Sequence, residues 1–184
     1  FYIGKKMFKK ILLGALCYVA LSACGSEGES SSPKTQKPLT QAQTLQNLED
    51  EGQIPKLERT DSIAGIDNDQ NGIRDDIDAY ILKNYPNEEQ RKAVLQYAKS
   101  IQSYLTTDPT NEVAVQEASN QNTRAMSCVF EEFNKSYNGP KGSIVDEIGS
   151  ITTNTKKRLV AFYKFNSALD GSVVTLPKRD FCDE

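Results

Sequence analysis

An all-α domain, bundle-like and of four to five helices, is what this sequence predicts, and three features predict it. Apolar residues recur at three- and four-residue spacing through most of residues 39–171, the period that lines one face of a helix. Residues that open helices stand at the joints: Asn87, Asp108 and Ser143. Residues that stop them follow, in the run Asn138-Gly139-Pro140 and at Gly171.

The elements read in order. Residues 39–51 form a modest amphipathic segment, with Leu45 and Leu48 three apart. Ile77, Tyr80 and Ile81 begin a second helix that stops near Pro86. Asn87 with Gln90 has the spacing of a capping box, and Val94, Tyr97, Ala98, Ile101 and Leu105 follow at helical intervals. Asp108-Pro109 reads as an N-cap with proline at the first helical position. The helix it opens carries Val113, Val129, Phe130 and Phe133. Ser143 with Asp146 predicts the next cap, and Ile144, Ile148, Ile151, Leu159, Phe162 and Leu169 continue to Gly171. Residues 173–176 have strand composition, but a lone strand has nothing to pair with. No internal repeat is visible.

The N-terminal region is of a different kind. Lys5, Lys6, Lys9 and Lys10 precede an apolar run over residues 11–21, the length of a signal-peptide core and too short to span a bilayer. Leu21-Ser22-Ala23-Cys24 closes that run and resembles the cleavage box of bacterial lipoproteins. The resemblance implies a signal peptide over residues 1–23, cleavage before Cys24, and acylation of that cysteine by several chains, which anchor far better than one. A plain secretory signal cut after Ala23 is the simpler alternative. Gly25, where an aspartate would imply inner-membrane retention, points by the same resemblance to the outer membrane, facing the periplasm or the cell surface. Met7 reads as the start of translation, with residues 1–6 an extension ahead of it. Residues 25–38, rich in Ser, Gly, Pro and charge, read as a flexible tether of roughly 20 Å mean span.

Charge and cysteine usage agree with export. The 25 acidic residues all lie beyond residue 23, whereas four of the 22 basic ones precede it, so the remainder is about seven charges negative. Such a domain is a poor partner for nucleic acid, which rewards clustered Lys and Arg. Residues 39–184 suffice for one domain with a real core. With Cys17 in the signal and Cys24 in the lipid site, Cys128 and Cys182 are the remaining pair. In an oxidising compartment they form a structural disulfide, closing a 54-residue loop that chain entropy values at roughly 4 kcal/mol. A zinc site or redox pair is the competing use, disfavoured by a chain that contains no histidine.

The motif with chemistry is the acidic loop over residues 67–78. Oxygen donors recur at its first, third and fifth positions (Asp67, Asp69, Asn71), and Gly72 stands sixth, where the chain turns sharply. The carbonyl of Ile73, then Asp75 and Asp78, complete the spacing by which an EF-hand loop wraps one Ca²⁺. The stretch Asn71-Gly72-Ile73-Arg74-Asp75-Asp76-Ile77-Asp78 resembles the thrombospondin type 3 repeat more closely, with its paired aspartates after the apolar residue. It departs from that family in being a single copy, in having Ile77 for a cysteine, and in leading into a helix; Asp78 also replaces an EF-hand's terminal Glu. A lone loop predicts a structural Ca²⁺ bound at about 10⁻⁴ to 10⁻³ M. The metal-free alternative is an Asx-rich turn in which Asp75 or Asp76 caps the next helix.

Catalytic constellations are missing. Without histidine there is no Ser-His or Cys-His nucleophile and no H-E-x-x-H zinc site, and neither a G-x-S-x-G elbow nor a phosphate-binding glycine loop occurs. Glu131 and Glu132 are adjacent on a helix and point apart, as solvated surface. Lys156-Lys157-Arg158 reads as a solvated helix face, with a basic docking patch the sharper alternative. Phe162, Tyr163 and Phe165 cannot all face one core, so at least one reaches the surface, where aromatics favour protein contacts. The expectation is a calcium-binding, envelope-anchored lipoprotein that serves another envelope protein as a non-catalytic binding or structural module. Alternatives are an immunity-type inhibitor of a secreted toxin, or a hydrolase using carboxylates and calcium.

Overall fold

Thr40 opens the first helix, α1 (Gln41–Asp50): its hydroxyl accepts from Gln43 N–H while the Gln43 side chain accepts from the Thr40 backbone, a reciprocal capping box. This computed structural model describes residues 38–136, 142–175 and 178–183, with only the backbone at residues 135, 136, 142 and 143. The signal run, Cys17, Cys24, the tether up to residue 37 and the Asn138-Gly139-Pro140 stop lie outside the described residues. Leu39–Glu184 forms one unit.

Beyond α1, residues 51–74 run without helix to α2 (Asp75–Asn84), followed by α3 (Glu88–Thr106), α4 (Glu112–Ser136), α5 (Gly142–Thr152) and α6 (Lys156–Ala168). The domain is all-α, with six helices and no strand among the described residues. None of these helices is long and apolar enough to cross a membrane.

Helix α3 is the axis, packing against α2, α4, α5 and α6. Its apolar stripe of Val94, Tyr97, Ala98 and Ile101 meets Ile77 and Ile81 of α2, Val129 and Phe133 of α4, Ile148 of α5 and Phe165 of α6 in one core. Each large aliphatic side chain so buried contributes about 1.5–3 kcal/mol. Two aromatic pairs close the ends: Tyr85 stands edge-on to Phe133 at 5.9 Å, and Tyr104 stacks on Phe165 at 3.8 Å. Phe165 is buried and Phe162 half-buried, whereas Tyr163 is 62% exposed. The helical periodicity of that triplet therefore spreads it around α6 as expected.

Three boundaries differ from the sequence reading. Asp108 does not cap α4. Its carboxylate accepts from the Thr110 N–H at 2.9 Å and its carbonyl from Asn111 N–H at 3.1 Å, an Asx-type turn in which Asn111 becomes the cap through Ala114 N–H at 3.1 Å. Val113 consequently lies 81% exposed. The last helix is also divided. Thr152 and Thr153 turn their hydroxyls back onto the carbonyls of Ile148 and Gly149, and Thr155 caps a fresh start by accepting from Arg158 N–H. Finally, α5 begins at Gly142, so Ser143 is inside it and is not its cap.

The seam between α3 and α4 lacks the apolar stripe that periodicity searches for. Ala118, Ser119, Asn122 and Ala125 are buried there, and Asn122 Nδ2 donates to Ser100 Oγ at 2.9 Å while Ser100 donates to the Tyr97 carbonyl at 2.7 Å. Small residues let the helices approach, and each buried polar group is paired. The C-terminal tail folds back across the same two helices. Cys128 of α4 is joined to Cys182, Cα–Cα 4.9 Å. Arg124 donates to the Asp180 and Cys182 carbonyls at 2.9 and 3.1 Å and pairs with Asp183 at 2.9 Å, while Gln96 of α3 donates to the Phe181 carbonyl at 2.9 Å.

Candidate metal centre

The acidic loop is a closed turn held by its own first residue. Asp67 accepts the backbone N–H of Asn71 at 3.2 Å and of Gly72 at 3.0 Å, so one carboxylate gathers the far side of the loop. Gly72 makes the turn at φ +89°, a left-handed conformation open to glycine without cost. Gln70 adopts φ +58° beside it. The Asp75 N–H closes the loop onto the Ile66 carbonyl at 2.9 Å, and Ile73 drops its side chain into the core.

This geometry brings Asp67, Asp69 and Asp75 together, with one carboxylate oxygen of each lying within 4.8 Å of the others. Asp78 joins through Asn71, whose Nδ2 lies 3.1 Å from an Asp69 oxygen and 2.5 Å from Asp78 Oδ2. Burial pushes the Asp78 carboxyl above its usual range, and the nearby charges of Asp69, Asp67 and Asp75 push the same way, against the Asn71 hydrogen bond. The donor set is hard oxygen throughout, the chemistry a divalent cation of the calcium type takes. Three of the six expected ligand residues, Asp67, Asp69 and Asp75, thus converge on one point; Asn71 and Asp78 are tied to them by hydrogen bonds, and the Ile73 side chain lies in the core.

Asn71 is turned differently from the expectation. Its Oδ1 accepts from the Ile73 N–H at 2.7 Å and its amide nitrogen faces the carboxylates. It therefore braces the like charges, and donating an oxygen to a cation requires the amide to turn over. Asp75 is also engaged, accepting from Asn68 N–H at 3.0 Å and from the Asn68 side chain. Neither Asp75 nor Asp76 caps α2; Arg74 is the N-cap residue and makes no side-chain cap bond.

Arg74 is what sequence reading missed. Standing in a loop with five carboxylates, it is fully buried and faces away from the cluster. Its guanidinium grips Asp76 at 2.5 and 2.9 Å and donates to the carbonyls of Thr152 and Ile151 at 3.2 and 3.0 Å. Arg158, expected on a solvated face with Lys156 and Lys157, is likewise fully buried. It reaches Glu58 Oε2 at 2.7 Å and donates to the Glu58 and Ile63 carbonyls at 2.8 and 3.2 Å. Asp76 in turn accepts the Glu58 N–H at 2.8 Å, so the two cations and two anions make one buried network. Burial lowers the Arg158 pKa, and the neighbouring Arg74 charge adds to that, opposed by Glu58 and Asp76. Burial alone would raise the Glu58 carboxyl, but hydrogen bonds from Thr60 and the charge of Arg158 hold it below its ordinary value. Because Arg74 is spent on Asp76, it makes no ion pair with Asp67, Asp69, Asp75 or Asp78.

Beneath the loop lies a cavity of about 230 Å³ lined by Asp67, Gly72, Lys99 and Gln102. Gln102 donates to the Ala64 carbonyl at 2.7 Å, and its buried Oε1 has no hydrogen-bond partner among the described residues, a further electron-rich atom on that side. Compared with known proteins, the chain matches no family model, no curated protein and no solved structure.

Proposed function

We propose that this chain is a calcium-binding lipoprotein of the bacterial cell envelope, held at the outer membrane by acylated Cys24 and acting as a non-catalytic binding or structural module for a protein partner. The observation that carries the metal assignment is the convergence of Asp67, Asp69 and Asp75 within 4.8 Å while the loop's arginine is committed elsewhere. Asp67, Asp69, Asp75 and Asp78 make no ion pair with a basic side chain among the described residues, and like charges so gathered favour a bound divalent ion. Bound there, the ion would fix the start of α2 and with it the packing of Ile77 and Ile81. The export and anchoring half of the reading is supported by the lysine-flanked apolar run and by Leu21-Ser22-Ala23-Cys24.

Thermal unfolding of the chain with millimolar Ca²⁺ and then with EDTA, beside Asp67→Ala, tests the metal. A calcium-dependent rise in Tm that Asp67→Ala abolishes supports the site; equal curves in both media remove it. Metabolic labelling with a clickable fatty acid tests the anchor, with Cys24→Ser as the variant that should lose the label.

A further inference from the structure

Along one side of α6 runs an apolar groove that the calcium reading does not use. We infer that it is a binding site for a single-chain anionic amphiphile, a long-chain fatty carboxylate. Its walls are Ile63, Leu105, Pro109, Val160 and Ala161, enclosing about 590 Å³. That volume falls within the few hundred to a thousand cubic ångströms of small-molecule sites, whose walls are mostly apolar with a few placed polar groups. Beyond Pro109, Val160 and Lys164, which both share, a second hollow of about 450 Å³ continues past Tyr163 to Ala168. The trough therefore follows α6 for most of its thirteen residues, roughly 18 Å at helical rise, long enough to seat an acyl chain.

Charge selects the head group. Lys156, Lys157 and Lys164 rim the groove in a domain that is otherwise acidic. Lys157 pairs with the exposed Asp61 at 3.0 Å. Among the described residues, Lys156 and Lys164 have no carboxylate within ion-pair distance, so two ammonium groups remain for an anion. Val160 and Tyr163, both exposed, present apolar surface to water between them. The trough is open along one side, and its apolar walls with lysines at the rim match one acyl chain carrying an anionic head group. The inference deepens the binding-module reading and rests on it for an envelope compartment where fatty acyl anions occur; the calcium loop plays no part in it.

Photolabelling of the full chain in zwitterionic vesicles with a diazirine-bearing palmitate, followed by peptide mapping, tests the site. Adducts should concentrate in residues 156–168 and 105–110, and the matched fatty alcohol should label them about tenfold less. The double variant Lys156→Glu/Lys164→Glu, altering exposed side chains, should lose labelling by a similar factor, and Val160→Asp should lose it through the wall. Far-UV circular dichroism of each variant establishes that the helices persist. Labelling spread evenly along the chain, equal labelling by acid and alcohol, or undiminished labelling of the lysine variant would each overturn the inference. So would competition by an acidic helical peptide but not by unlabelled palmitate, which assigns the groove to a protein. Repeating the labelling with Asp67→Ala separates the two proposals, since loss of calcium binding should leave the adducts in place.

Discussion

Arg158 Nη2 and Glu58 Oε2 meet at 2.7 Å across one hundred residues of sequence, and the guanidinium is shut off from water. An ion pair of this kind stabilises little against a well-packed apolar pair, yet breaking it leaves a buried charge alone. Glu58→Ala should therefore cost about 3–5 kcal/mol, and Arg158→Met together with Glu58→Met should cost much less than either change by itself. Urea unfolding of Glu58→Ala, the two single Met variants and the double variant reads the difference directly.

The same network sets an acid limit. Since the Glu58 carboxyl sits below its unfolded value, near 4.5, its stabilisation is complete above that pH and is lost as pH falls through the folded value. Glu147 runs the other way. Burial raises its carboxyl, so its contribution is complete below its unfolded value, also 4.5, and is lost as pH rises through the higher folded one. Denaturant titrations from neutral pH into the acid range should show Glu58→Gln flattening the acid loss and Glu147→Gln removing the decline at the upper edge of that range.

Asn71→Asp offers a test that distinguishes a metal site from a capped turn. The amide now bridges Asp69 and Asp78; a carboxylate there adds a fifth like charge to the cluster. The Tm in EDTA should fall, and the rise caused by Ca²⁺ should grow beyond that of the unsubstituted chain. A capped turn without metal would show the fall alone.

Gly65→Ala should be more damaging than its size suggests. A Cβ at this position would lie 2.2 Å from Arg74 Cδ and 2.5 Å from Glu58 Oε2, on a backbone at φ +78°. Positive φ and displacement of a buried ion network together should cost about 3 kcal/mol. Gly52→Ala, also at positive φ but with open space around its Cβ, is the control for backbone strain by itself.

How the loop and the helices were legible follows from distance along the chain. Residues 67–78 supply most of a ligand set within twelve positions, so spacing alone suggested it. The apolar stripe of α3 was readable for the same reason: Val94, Tyr97, Ala98 and Ile101 repeat with the helix. Arg74 and Arg158 were not readable, because nothing local separates a solvated arginine from one whose acidic partner arrives from elsewhere. The middle of α4 escaped as well, since Ser119 and Asn122 are polar in composition and become interior only through partners on α3. Thr40 was missed though its signal was local, with Gln43 at the spacing of a capping box.

One more property of Arg74 concerns the order in which the protein assembles. The carbonyls it binds, those of Ile151 and Thr152, belong to the last turn of α5, where a helix runs out of its own donors. A positive charge at that end is favourable to the helix as well. The residue that finishes α5 is thus borrowed from a segment nearly eighty positions upstream. During synthesis, Glu58 and Arg74 cannot meet these partners until α5 and the start of α6 have emerged.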